Sequence, residues 1–178
     1  ESKKPLLYLG GGAIASESAE LNKDLCEVTQ IPAVETLMAR GILPHNHPNL
    51  LGMVGMHGSY CANMAMSESD LLIALGARFD DRVTGKLSEF AKYAQIIHID
   101  IDPSSISKIV NANYPIVGDI KSVLEELLPL IREDYDAKST LAWREQLERY
   151  NKLHPLSYQD STTPLKPQWV LEKLGEIL

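Results

Sequence analysis

The chain has 178 residues, a hydrophobic fraction of 44%, a formal net charge of −7 and a pI near 5.2. That length suits one domain with an appendage, and the composition supports a real core. The acidic balance argues against general nucleic-acid or anionic-membrane binding but leaves room for a local cationic pocket.

Cys26 and Cys61 give no disulfide framework, no CxxC and no zinc spacing, and fit a reducing cytoplasm. No apolar run approaches a membrane span, and no signal peptide opens the chain. PLLYLGGG reads as a short buried strand ending in glycines. AIASESAELNKDLCE has helical spacing, with Ile14, Ser18, Leu21 and Leu25 on one face. VTQIPAVE reads as a second strand with Pro32 near its end, and TLMARGILPHNHPNLLGMVGMHGS as a long ordered connection. YCANMAMSES predicts a helix, DLLIALGA a third strand, QIIHIDID a fourth and YPIVGD a short fifth. PSSISKIVN predicts a helix with Pro103 in its first turn. DIKSVLEELLPLI predicts a clearer one, capped by Asp119.

Apolar strands separated by helices predict an α/β fold: a Rossmann-like parallel sheet with helices on both faces. Residues 1–133 form this unit. From residue 134 the texture turns to a charged helical and extended connector, and the helix begun by PQWVLEKLGEIL points to a further domain of a longer protein.

In such sheets ligands bind at the carboxyl ends of the strands, and the unusual residues fall there. Gly10, Gly12 and Ala15 match G-x-G-x-x-A, with Glu35 near the place of a ribose-binding acid; tight packing explains the glycines equally well. GMVGMHGSY repeats glycine every third residue, which implies close backbone approach, and a flat ring lying against backbone and thioether would fit; the plainer reading makes Met53 and Met56 core and His57 a structural histidine. His45 and His47 lack the further donors a metal site needs. Asp100 and Asp102 point to one side, one suited to ribose hydroxyls and the other to capping a helix. GARFDDRVTGK carries the strongest signal. Arg78 and Arg82 offer planar donor forks suited to phosphate, and Asp80 and Asp81 can hold them in place. The alternative is a solvated ion-pair loop, whose pairs are worth about 0–1 kcal/mol.

The runs GGGAIAS, IPAVETLMARGILP, GMVGMHGSYCANMAMSESDLLIALGARFDDRVTGK, IIHIDIDPSSISKIV and PIVGDI together resemble the middle domain of the acetolactate synthase (acetohydroxyacid synthase) family. The resemblance covers residues 3–131, and LKPQWVLEKL resembles the connector into a third domain. It implies a six-stranded parallel sheet that binds FAD in a largely structural role. It also implies the contacts: Gly10, Gly11 and Gly12; Thr36, Leu37 and Met38; Val54, Gly55, Met56 and His57; Gly76, Ala77, Arg78, Phe79 and Asp80 with Arg82 and Val83; Asp100 and Ile101; Asp119 and Ile120. Asp81 and Arg82 resemble positions near the family's active-site channel. Thiamine diphosphate and Mg2+ are implied for flanking N- and C-terminal domains, since neither the family's catalytic glutamate nor its GDG…N motif stands in this stretch. No catalytic residue is expected here and the fragment alone is expected to be inactive. A homodimer or tetramer of the full-length enzyme and a regulatory small subunit are implied partners. Outside the resemblance, the residues also admit a NAD- or ADP-binding Rossmann-like domain of a dehydrogenase or another thiamine-diphosphate decarboxylase.

Overall fold

The computed structural model describes residues 2–159, 161 and 163–177. Six strands form one sheet: β1 (Pro5–Leu9), β2 (Ala33–Glu35), β3 (Leu50–Met53), β4 (Leu71–Leu75), β5 (Gln95–Asp100) and β6 (Tyr114–Val117). All neighbours pair in parallel, in the order β3-β2-β1-β4-β5-β6. The sheet is the α/β Rossmann-like arrangement that the strand–helix alternation predicts.

Period-2 alternation sends successive side chains to opposite faces, and both faces are covered. Leu6, Tyr8, Leu72, Ala74 and Ile96 pack under α3 (Tyr60–Glu68) and α6 (Leu141–Leu153). Leu7, Leu9, Leu75 and Ile99 pack under α1 (Gly11–Ala15), α2 (Ala19–Thr29) and α5 (Ile120–Asp134). Cys26 and Cys61 are buried free thiols on opposite faces. A short α4 (Asp81–Thr84) follows β4, and α7 (Pro167–Ile177) stands last. Among the described residues no helix is long and apolar enough to cross a membrane.

Four local expectations are corrected. The first helix is two: Glu17 adopts a left-handed φ of 52°, so α1 ends at Ala15 and α2 starts at Ala19. Ile14 is therefore exposed and shares no face with buried Leu25. The second strand is shorter than VTQIPAVE, because Thr29 still belongs to α2 and Gln30 ends it in the left-handed region. The long connection contains β3, whose pairing with β2 slips between Ala33 and Glu35. PSSISKIVN forms turns instead of a helix: Asp102 accepts from the backbone and hydroxyl of Ser104 and the hydroxyl of Ser105, and Ser107 has φ 56°.

After residue 134, α6 is seated on the sheet. Trp143 is 2% exposed and its Nε1 donates to Pro5 O at 3.1 Å. Glu68 on α3 accepts from Tyr150 Oη at 2.8 Å and from Gln146 Nε2 at 2.6 Å on α6.

His98, in the middle of β5, is fully buried and its ring nitrogens make no hydrogen bond of normal geometry among the described residues. Burial lowers its pKa; Asp100, 3.9 Å away, and the nearby Ala77 backbone act in the opposite direction. Burial lowers the pKa of His47 as well. The unfolded chain therefore binds protons that the folded chain refuses, and stability rises with pH through this window. We expect stability to be level above the ordinary histidine value and to fall as pH drops below about 6.5, by at most about 1.4 kcal/mol per pH unit for each histidine. Urea midpoints at about pH 5 and pH 8, with His98→Leu flattening the slope, check this.

Candidate functional site

The crossovers from β1 and β4 leave in opposite directions across the sheet, toward β2 and β5 respectively. The carboxyl ends of these two adjacent strands therefore open a crevice, the place where doubly wound sheets take their ligands. A cleft of about 540 Å³ lies there, within the roughly 300–1,000 Å³ of small-molecule sites. It is lined by Gly11 and Gly12 after β1, residues 36–38 after β2, Gly76, Ala77, Arg78, Asp80, Arg82 and Val83 after β4, Asp100 ending β5, and Tyr8.

The backbone explains part of the glycine pattern. A Cβ on Gly10 would stand 2.1 Å from Gly76 O, and one on Gly12 2.7 Å from Gly76 Cα. The turn after β1 and the turn after β4 are thus in direct backbone contact, tied by Gly12 N donating to Gly76 O at 3.0 Å. Packing dictates Gly10; Gly11 and Gly12 also border the cleft. In the GMVGMHGS loop the close approaches are likewise to protein. A Cβ on Gly55 would meet Arg82 O at 2.7 Å, and one on Gly58 would meet Met53 O at 2.5 Å.

The loop after β4 is built by alternation. Ala77 and Phe79 turn inward, while Arg78 and Asp80 turn out. Phe79 takes a left-handed φ of 53° so that its ring sits against Tyr8, Phe90 and His98. Asp80 caps α4 by accepting from Arg82 N at 3.0 Å. Arg82 approaches Asp81 at 3.7 Å with both side chains exposed. Arg78 forms no ion pair among the described residues, so its guanidinium is free to meet a ligand. A tight turn after β2 displays Leu37 and Met38, each 71% exposed, on the opposite wall. Thr36 Oγ1 on that wall is buried without a partner among the described residues. Asp100 accepts from Asp102 N at 2.9 Å.

A model of the thiamine pyrophosphate enzyme central domain matches residues 1–127. The chain belongs to this family of central domains. It is 50% identical over 182 residues to an acetolactate synthase of Mycobacterium leprae (strain TN), covering 100% of this chain and 29% of that protein. It is 51% identical over 180 residues to an acetolactate synthase of Mycobacterium avium, covering 99% and 29%. An acetolactate synthase large subunit of Cyanidium caldarium is 47% identical over 180 residues, covering 99% and 31%. The chain spans about 29% of the length of the first of these curated relatives.

In this thiamine pyrophosphate enzyme central domain, the expected site residues divide by position. Twelve line the cleft, as given above. Gly10, Val54, Phe79 and Ile120 are buried and outside its lining. Gly55, Met56 and His57 belong to the loop that docks on α4, where Met56 N donates to Arg82 O at 2.8 Å. Ile101 is exposed beyond β5. Asp119 caps α5 by accepting from Ser122 N at 3.2 Å. Glu35 is 1% exposed and bound to Arg40 at 2.6 Å, away from the cleft lining. His45 is exposed and His47 buried in their loop, and no cluster of three or more metal-ligating side chains occurs among the described residues. Sequence reasoning missed Tyr8. The signal was present: a tyrosine in an otherwise apolar strand, two residues before the glycines and on the face opposite Leu7 and Leu9.

Proposed function

We propose that this central domain belongs to an acetolactate synthase and holds FAD in the cleft at the carboxyl ends of β1 and β4. The observation that carries the reading is the cleft itself: a free Arg78 on one wall, exposed Leu37 and Met38 on the other, and glycine backbone between. The unpartnered polar atoms at its border, Thr36 Oγ1 and Tyr8 Oη, fit a ligand rich in oxygen. Arg78 would hold an anionic part, residues 36–38 and Val83 an apolar ring, and Asp100 a hydroxyl-bearing part. Bound FAD supplies an ordered wall and no net redox change in this reading.

The longer enzyme would join two pyruvates, or pyruvate and 2-oxobutyrate, in branched-chain amino-acid biosynthesis in the cytoplasm. Its flanking domains would carry thiamine diphosphate and Mg2+, and it would assemble as a homodimer or tetramer with a regulatory small subunit. In this domain residues 1–133 hold the cofactor, and residues 134–178 lead toward the next domain. Against a NAD dehydrogenase, Glu35, the acid that would bind the ribose, stands outside the cleft lining, with its Oε1 held by Arg40.

The test is calorimetric titration of the full-length protein with FAD, NAD and ADP at one ionic strength. FAD is expected to bind most tightly. Arg78→Ala should weaken it about ten- to a hundredfold, the equivalent of losing a charge-assisted hydrogen bond of roughly 1.5–3 kcal/mol. Arg78→Lys should recover part of the loss, because an ammonium lacks the planar fork. Lys86→Ala should change little, since Lys86 is exposed, 4.0 Å from Glu89, and outside the cleft lining. Wild-type affinity in Arg78→Ala would make that arginine a surface residue and remove the main support for the reading.

A further inference from the structure

Tyr8 is the only polar side chain of β1. The residue is 0% exposed, it borders the cleft, and its hydroxyl has no hydrogen-bond partner among the described residues. Its ring is fixed by packing, with Phe79 at 5.6 Å and Leu6, Val34 and Ala74 in the same cluster. A buried hydroxyl left unpaired weakens a fold, so a position that keeps one calls for a partner from outside the chain. Burial, with Asp80 nearby, raises the pKa of Tyr8 far above the ordinary value, so it remains a proton donor and requires an acceptor.

The two ends of the cleft differ in chemistry. Leu37 and Met38 present apolar surface beyond β2, and Asp100 a carboxylate at the end of β5. β1 lies between them in the sheet. A ligand with a ring system toward each end places its connecting oxygens over β1.

We propose that the Tyr8 hydroxyl donates a hydrogen bond to an oxygen in the linker of the flavin dinucleotide. This rests on the flavin reading above. A water molecule in the same place is the competing occupant.

The experiment is Tyr8→Phe in the full-length protein, with two readouts: the FAD dissociation constant and the thermal midpoint of the flavin-free protein. We expect FAD to bind about three- to tenfold more weakly. The flavin-free midpoint should be unchanged or higher, because the ring stays and only an unpaired hydroxyl is removed. Unchanged FAD affinity overturns the proposal, gives the hydroxyl to water and leaves the flavin reading standing. Weaker binding with a lowered midpoint also overturns it, because packing then accounts for the loss. Failure of the wild-type protein to bind FAD removes the flavin reading and this contact with it.

Discussion

Trp143→Ala is expected to destabilise the protein by about 3–5 kcal/mol, the usual loss for a large aromatic removed from a packed interior. The indole is almost wholly covered, sits over the start of β1 and donates to Pro5 O. Lys4 Nζ lies 4.9 Å from its ring centroid. Removing the side chain opens a cavity and leaves that carbonyl without its donor. It also loosens α6, whose other ties include Leu147, buried against the same cluster, and the bonds of Gln146 and Tyr150 to Glu68. For a chain of this size each kcal/mol corresponds to roughly 2–4 °C, so the midpoint should fall by about 6–20 °C. Trp143→Phe keeps most of the buried surface and should lose less. Chemical denaturation measures both. A loss under about 1 kcal/mol for the alanine variant would mean that α6 rests loosely on the sheet, contrary to the packing described here.

Gly10→Ala should be nearly as damaging, for an opposite reason. The added methyl would lie 2.1 Å from Gly76 O and 2.5 Å from Ala77 Cα. Both are main-chain atoms, so no side chain can rotate out of the way. The two turns cannot part freely, because Gly10 N donates to Leu75 O at 2.9 Å and Leu9 pairs with Leu75 in the ladder. Overpacking of this kind costs about 3 kcal/mol or more. The floor of the cleft is made of the same two turns, so FAD binding should fall with stability. Gly175→Ala supplies the contrast. That glycine has nothing within 4 Å of its added Cβ and lies in α7, where alanine is favoured by roughly 0.5–1 kcal/mol. Denaturation midpoints and flavin titrations of the two variants, side by side, check the argument. Gly10→Ala with wild-type stability would show that the turns separate at little cost.

The fold was legible where one local rule dominates. β1, β4 and β5 are unbroken apolar runs, and Asp119 stands where an N-cap must stand, so these elements could be read directly. β3 escaped notice because it is four residues at the edge of the sheet, half-buried throughout, with Gly52 at φ 92° inside it. The break between α1 and α2 escaped because Glu17 has no intrinsic preference for the left-handed region; Ser18, donating its amide and its hydroxyl to Ala13 O, closes the end of α1 around it. The turns after Asp102 escaped because a run of Ser and Ile around Pro103 suits a helix start as well as serine-capped turns. In the cleft, the arginine loop announced itself by charge density. The role of Gly10 did not, because its partner Gly76 is distant in sequence and only the sheet brings them together. Tyr8 was hidden by its company: a tyrosine among leucines reads as core until its hydroxyl is found to lack a partner.

The buried ring of Phe79 bears on how the cleft is filled. A bulky residue at positive φ stores local strain, and the strain persists only because the surroundings fix the backbone there. That ordering is settled when the chain folds, before any ligand arrives. Arg78, carried between two buried neighbours, therefore enters binding with its main chain already immobilised. Only the side-chain rotamer remains to be restricted, at roughly 0.5–1.5 kcal/mol, whereas a floppy loop would also lose backbone freedom. A receptor of this sort is preformed on the loop side, and its ligand should exchange without waiting for a lid to close.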